Sequence, residues 1–140
     1  MDEMAIELES PAPAKRVMEL HDRLVSSGQA LDGSELTTFV LSVTDGQGDL
    51  TAGCKGEIAF RSAHISELWV DARHRGQGLG RALLAAAEDH AAKNGCIRVH
   101  LETRSEKARA LYERVGYRLF GTLPDYDGDQ AFHYLEKRLD

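Results

Sequence analysis

The stretch that determines the fold is ELWVDARHRGQGLGRALL, residues 67–84. An apolar run that is typical of a strand ends at about Val70, and helical periodicity begins at about Leu79. Between them, glycines occupy every second position from Gly76 to Gly80. Glycine adopts backbone dihedrals that other residues avoid and lets a ligand approach the main chain closely. The segment therefore predicts a strand–turn–helix unit with an accessible backbone.

The start of that helix is a candidate anion site. The first amides of a helix lack internal partners, and the helix dipole places partial positive charge there. Such a turn binds anionic groups readily. Three arginines add positive charge: Arg73, Arg75 and Arg81.

The glycine spacing excludes two common nucleotide motifs. A dinucleotide fingerprint requires G-x-G-x-x-G, but counting from Gly76 its last position is Arg81. A Walker loop requires Gly-Lys-Ser/Thr, a tripeptide that the sequence lacks. A turn that merely connects strand to helix remains an alternative at this point.

Beyond the turn, the periodicity predicts a helix over about 79–93 that ends at Asn94-Gly95. Residues 96–102 alternate between apolar and polar side chains, as in a strand with one buried face. Together with the strand at 63–70 this is a βαβ crossover, so we expect the two strands to be parallel neighbours.

The remaining predicted elements complete one mixed α/β (α+β) domain over residues 1–140. In chain order they are a strand at 4–9, a helix between Pro13 and Gly28, a loop at 29–35, strands at 37–44 and 50–59 around a turn at 45–49, a helix from Ser105 to Gly116, and strands at 117–121 and 131–138 around an acidic loop at 125–129.

Composition excludes several classes of partner. The chain has 23 acidic and 17 basic residues, a formal net charge of −6, which argues against nucleic acid. No apolar run reaches the roughly 20 residues of a membrane span, and the acidic N-terminal residues do not form a signal peptide. Cys54 and Cys96 show no CxxC pattern and indicate reduced thiols in a cytoplasmic protein. No Cys or His pair has metal-ligand spacing, so we expect no metal.

Several motifs together resemble one family. Leu68, Val70 and Arg75-x-x-Gly78-x-Gly80 are similar to the acetyl-coenzyme A motif of the GCN5-related N-acetyltransferases (GNAT). The segment SEKARALYERVGY, residues 105–117, resembles that family's helix with a Leu-Tyr pair before Gly-Phe or Gly-Tyr. ELWV, with Phe120-Gly121 and Tyr134-Leu135, resembles a branch of small bacterial members.

The match is good over residues 62–121 and looser in the N-terminal third. The family usually has two helices after its first strand, where this sequence predicts one. It also often has Pro where Ala72 stands. We expect that difference not to disturb phosphate binding.

The resemblance implies a fold and a co-substrate. The fold is a mostly antiparallel mixed sheet with a splayed central parallel pair, here 63–70 and 96–102, and helices packed on both faces. The thioester of acetyl-CoA lies in the opening. The backbone of Leu68, Trp69 and Val70 pairs with the pantetheine arm. Arg75 and the amides of Gly76, Gln77, Gly78, Leu79, Gly80 and Arg81 form the pyrophosphate site.

The resemblance also implies a catalytic acid. An amine acceptor must lose a proton before it attacks, and the departing thiolate gains from a proton donor. The family places a tyrosine near the coenzyme sulfur at the position of Tyr112, which is our candidate acid. The alternative is that Tyr112 only packs beside Ala108 and Leu111.

The base is open among several groups. His64 lies on the strand before the glycine turn, where family members carry His or Glu, and histidine titrates near neutral pH. Glu67 is the second candidate. Ser62 stands where some members have Glu. The polar pair His100 and Glu102 on the next strand, or water, could serve instead.

The preferred function is transfer of acetyl from acetyl-CoA to a primary amine of a small molecule or protein. The alternatives are an acyl-CoA sensor or interaction module without turnover, and a nucleotide- or phosphate-binding regulator at the same helix terminus. The acidic segment 125–129 would favour a cationic acceptor, unless it is simply a solvated turn. Homodimers are common in the family.

Overall fold

The computed structural model describes residues 5–30 and 36–140 of the chain. The chain divides into two compact units, residues 1–35 and 36–140, and each is described by itself. The single domain over 1–140 therefore stays a prediction. Within the described ranges, no helix has the length and apolar character needed to cross a membrane.

The first unit contains helix α1, Ala14–Ser26, which begins after Pro13 and is followed by Gly28 at a φ of +78°. This agrees with the predicted helix. The strand predicted over 4–9 is wrong for residues 5–9, which have no regular structure. A strand needs a neighbour for its backbone hydrogen bonds, and the described part of this unit supplies none. Residue 4 and most of the predicted loop, 31–35, lie outside the described residues.

The second unit is built on a six-stranded sheet in the order β1-β2-β3-β4-β6-β5. Its strands are β1 Thr37–Thr44, β2 Leu50–Ala59, β3 Ser62–Val70, β4 Arg98–Thr103, β5 Arg118–Asp127 and β6 Gln130–Arg138. All neighbours are antiparallel except β3 and β4, as predicted for the crossover.

The parallel pairing of β3 with β4 is short. It joins Ser62 to Arg98, Ala63 to Val99 and His64 to His100. Beyond His64, strand β3 continues to Val70 with pairing only to β2. The edge of β3 that faces β4 is therefore open over its last six residues, which creates the splayed pair that the resemblance implies.

Two helices pack on one face of this sheet: α2, Leu79–Lys93, and α3, Glu106–Arg114. The core between helices and sheet consists of Leu83, Leu84, Ala87 and Ala91 of α2, Tyr112 of α3, Tyr117, and the inward residues of β2, β3, β4 and β6. Helices on the other face of the sheet would have to include α1, which belongs to the first unit. The prediction that helices cover both faces therefore stays a prediction.

A polar contact network fixes α2 and α3 on β6. Lys137 of β6 donates to Glu88 of α2 and to the carbonyl of Val115 at the end of α3, both at 2.9 Å. Tyr117 donates its hydroxyl proton to the same Glu88, also at 2.9 Å. Because Glu88 and Lys137 are mostly buried, this network fixes the position of α3 and so of Tyr112.

Two predicted boundaries need correction. Strand β4 begins at Arg98 rather than at residue 96, because the amide of Cys96 caps α2 at the Ala91 carbonyl and Ile97 pairs with Arg61. The acidic segment 125–129 is not a loop: β5 extends to Asp127, and Gly128 at a φ of +60° closes a tight hairpin to β6.

Candidate functional site

The glycine turn, residues 75–80, lies between the end of β3 and the start of α2. Gly76 and Gly78 have φ values of +77° and +82°, in the left-handed region that favours glycine. Gly78 is the N-cap of α2, and a Cβ at either glycine would meet no atom within 4 Å. The space above the start of the helix is therefore open to a ligand.

This geometry fits a pyrophosphate. The first amides of a helix have no backbone carbonyl to donate to. The amides of residues 79–81 therefore point out of the N-terminal end of α2, where they can donate to an anion. The exposed Arg81 follows directly. The other two arginines are engaged elsewhere: Arg73 pairs with Asp71 at 2.8 Å, and Arg75 donates through Nε to the Val70 carbonyl at 3.1 Å. Arg75 thus ties the turn to the end of β3.

The open edge of β3 begins where its alternation changes. A bulge at Ser66 shifts the register against β2, so Lys55 faces Glu67 while Gly56 faces Ile65. Leu68 and Val70 therefore pack against the core, whereas Glu67 and Trp69 are exposed. The backbone of residues 68–70 borders the opening, which is where a pantetheine arm would need hydrogen-bonding groups.

Tyr112 of α3 lies in the core between the helices and the sheet and is 8 % exposed. Burial raises the pKa of its phenol, and the nearby Cys54 and Glu102 raise it further. Tyr112 therefore keeps its proton at neutral pH. The ring also packs 6.0 Å from that of Tyr117, so it contributes to the core as well.

His64 is the last β3 residue that pairs with β4, and it lies on the face opposite the helices. Its Nε2 is 2.8 Å from one oxygen of Glu102, and its Nδ1 is 3.5 Å from Glu57. Its ring stacks on that of His100 at a centroid distance of 4.9 Å. We call Glu57, His64, His100 and Glu102 the His64 cluster. The side chain of His64 is 31 % exposed.

The His64 cluster combines two carboxylates with two imidazoles. Burial lowers the pKa of His100, with His64 adding to the effect, so His100 is neutral at pH 7. Two carboxylates beside one imidazole fix the orientation of the His64 ring. One donor atom each of His64, His100 and Glu102 lies within 4.8 Å of the others, so these residues are also within reach of one cation. The expected absence of a metal remains a prediction.

The structure thus brings some predicted site residues together and separates others. His64, His100 and Glu102 form one cluster, whereas Glu67 is not among the contacts of His64 within residues 36–140. Glu57 was missed by the sequence analysis. The tight turn between β2 and β3 could have identified it. Once Ala59 pairs with Ser62, the antiparallel register places Glu57 opposite His64.

Comparison with known proteins identifies similar chains. The profile described as "Acetyltransferase (GNAT) family" matches residues 3–117. Blasticidin-S acetyltransferase of Streptomyces morookaense is 37% identical over 110 residues, which cover 78% of this chain and 81% of that protein. The crystal structure of a candidate acetyltransferase from Agrobacterium tumefaciens superposes with a TM-score of 0.85 at 31% identity, covering 97% of this chain and all of the other.

A third comparison includes the co-substrate. A candidate streptothricin acetyltransferase from Bacillus anthracis, solved in complex with acetyl coenzyme A, superposes with a TM-score of 0.66 at 20% identity. The superposition covers 74% of this chain and 63% of that one. At this identity the similarity shows a shared fold.

Proposed function

This chain belongs to the acetyltransferase (GNAT) family and is an acetyl-CoA-dependent acyltransferase, and on that basis we propose that it acetylates the primary amine of a small molecule. The observation that carries the proposal is the opening between β3 and β4, with the glycine turn at one end and His64 at the other. Blasticidin-S acetyltransferase, the relative from Streptomyces morookaense, is named for a small-molecule acceptor, which supports this substrate class.

The glycine turn would hold the pyrophosphate of acetyl-CoA. The positive φ values of Gly76 and Gly78, the free space above them and the amides of residues 79–81 support this placement. Gln77, Leu79 and Gly80 complete the turn, the exposed Arg81 follows it, and Arg75 holds it to Val70. When bound, acetyl-CoA supplies an activated acetyl group. The backbone of Leu68, Trp69 and Val70 would position the pantetheine arm.

His64 would take the proton from the amine. It lies where the two strands separate, so it can face a substrate in the opening, and it is partly exposed. Its contacts with Glu57 and Glu102 would stabilise the imidazolium that forms. Glu67 is exposed and without such orienting contacts in the described residues, so we place it second.

Tyr112 would hold the proton for the departing sulfur. Its raised pKa keeps the phenol protonated at neutral pH, so the hydroxyl can donate a hydrogen bond to the sulfur as negative charge develops there. Burial is the main cause of that raised pKa, with smaller contributions from Cys54 and Glu102. The acid and the base would thus lie on opposite faces of the opening.

The test is a panel of primary amines with acetyl-CoA, read as release of free thiol. We expect at least one small amine to raise thiol release well above the hydrolysis seen without amine. The same assay with a chelator should give equal rates if no metal takes part. If no amine exceeds background while coenzyme A still binds, the protein is an acyl-CoA-binding module and the proposal is wrong.

A further inference from the structure

A cavity of about 350 Å³ lies beside the His64 cluster, on the face of the sheet opposite α2 and α3. It is lined by Arg98, His100, Arg118, Phe120, Glu136 and Arg138, and we call it the arginine cavity. Three guanidinium groups at one site are unexpected in a chain whose formal net charge is −6. The concentration of positive charge therefore points to a ligand.

Strand register connects this cavity to the proposed base. His64 pairs with His100, His100 with Glu136, and Glu136 with Arg118, so these four residues form one row across β3, β4, β6 and β5. A second row pairs Arg98 with Arg138. Paired residues project from the same face of a sheet. His100 lines the cavity, and its ring stacks on that of His64 at a centroid distance of 4.9 Å. One imidazole ring therefore separates the cavity from His64.

The cavity keeps an excess of positive charge after its internal pairs are counted. Glu136 is shared by Arg98 at 3.4 Å and Arg118 at 3.2 Å, while Arg138 pairs with Asp140 at 2.8 Å. Three guanidiniums thus meet two carboxylates. Each guanidinium carries five N–H donors, more than these pairs use. Burial lowers the pKa of His100, which therefore adds no charge at pH 7.

The exposed arginines are the ones that a ligand can reach. The Arg118 side chain is 74 % exposed and that of Arg138 is 49 % exposed, whereas Glu136 below them is 19 % exposed. Guanidinium groups pair with carboxylate and phosphate oxygens, frequently through two parallel hydrogen bonds. The ring of Phe120 adds an apolar wall. The cavity is suited to an anionic oxygen group on a short aliphatic chain.

We propose that the arginine cavity is the acceptor subsite and that it binds a carboxylate or phosphate at the end of the acceptor remote from its amine. The proposal rests on the proposed function, which places the amine at His64. Neighbouring strands lie about 4.8 Å apart, so three strand spacings separate the backbones of His64 and Arg118 by about 14 Å. The Arg118 guanidinium reaches inward to Glu136 at 3.2 Å, which shortens the distance that an acceptor must span between its amine and its anion.

This acceptor differs in charge from the one that the acidic segment 125–129 favoured. In the structure Asp127 lies at the end of β5 and pairs with Arg104 at 3.1 Å, so part of that acidic charge is neutralised. Arg104 lies outside the arginine cavity. The arginine cavity, by contrast, borders the His64 cluster through His100.

The experiment compares three acceptors of similar length: 5-aminopentanoate, 4-aminobutyl phosphate and pentylamine. We expect kcat/KM for at least one of the anionic amines to exceed that for pentylamine at least tenfold. Comparison of kcat/KM between 5-aminopentanoate and 4-aminobutyl phosphate shows whether the cavity prefers a carboxylate or a phosphate. Arg118→Gln should lower kcat/KM for the anionic acceptor about 10- to 100-fold, mainly through KM, and leave pentylamine within about twofold.

Arg114→Gln is the matched control, because Arg114 is an exposed arginine on α3, on the other face of the sheet. Arg114→Gln removes the same charge as Arg118→Gln, and we expect it to leave kcat/KM unchanged for both the anionic amine and pentylamine. Equal effects of the two substitutions, or no preference for the anionic amines, would overturn the subsite.

A binding measurement separates this proposal from the proposed function. Calorimetry of 5-aminopentanoate on protein saturated with coenzyme A does not require turnover. Binding that Arg118→Gln weakens would support the subsite even if no amine were acetylated. Absence of binding alongside acetylation of neutral amines would reject the subsite alone.

Discussion

Replacement of Gly78 by valine separates ligand binding from folding at the glycine turn. Gly78 has a φ of +82°, and a Cβ there would contact no atom within 4 Å. The cost to the free protein is therefore backbone strain, about 1–2 kcal/mol for an L-residue in the left-handed region. For a chain of this length such a loss lowers the Tm by about 3–8 °C. Gly78→Val should still fold.

The cost to coenzyme binding should be much larger. The valine methyl groups would occupy the space above the amides of residues 79–81, where the pyrophosphate is placed. Two charge-assisted hydrogen bonds, each worth about 1.5–3 kcal/mol, would be lost. That corresponds to a Kd for coenzyme A raised about 100- to 10,000-fold. Calorimetric titration with coenzyme A measures this directly, and thermal unfolding measures the strain.

Gly48→Val provides the control. Gly48 lies in the β1–β2 turn at a φ of +87°, and a Cβ there also meets no atom within 4 Å. The two substitutions carry the same strain, but only one lies at the glycine turn. We expect similar losses of Tm and an unchanged Kd for Gly48→Val. If Gly78→Val bound coenzyme A within about threefold of the unmodified protein, the placement of the pyrophosphate would be refuted.

Three further predictions concern proton transfer and ionisation. Tyr112→Phe should fold and bind coenzyme A normally but lower kcat about 100- to 10,000-fold, and near-native turnover with chemistry rate-limiting would reduce Tyr112 to a packing residue. His64→Ala should fold and bind coenzyme A normally but lower kcat about 100- to 10,000-fold, and a near-native kcat with chemistry rate-limiting would exclude His64 as the base. Burial raises the pKa of Cys54 to about 11, so the folded thiol keeps its proton where the unfolded one, near 8.5, loses it. The free energy of unfolding should therefore fall as pH rises from about 8.5 to 11, with a shallower slope in Cys54→Ala, as denaturant titrations across this range would show.

The elements that sequence predicted best are those with local determinants. The hairpin of β1 and β2 is one example, because the Asp45 side chain itself accepts from the amides of Gln47 and Asp49. The second is α3, where the Ser105 hydroxyl accepts from the amide of Ala108 as a cap. Both structures are specified by residues within a few positions of each other, so they can be predicted from a short stretch of sequence.

The parts that sequence could not predict depend on long-range pairing. His64 and Glu102 are 38 residues apart in the chain, and they meet only because β3 and β4 are parallel and in a particular register. The arginine cavity likewise draws on β4, β5 and β6, which no local pattern aligns. Periodicity identified the strands but not their register, and register determines which side chains share a face.

Three residue pairs between β3 and β4 are the contact through which the two halves of the sheet are hydrogen-bonded to each other. On one side lies the block β1-β2-β3 and on the other β4-β6-β5, each held by longer antiparallel ladders. Helix α2 contacts strands of both blocks and so holds them together where the strands themselves do not pair. Over residues 65–70 the edge of β3 that faces β4 keeps its backbone groups unpaired. A co-substrate placed in the gap would therefore meet hydrogen-bonding groups that the sheet leaves free, much as an added strand would.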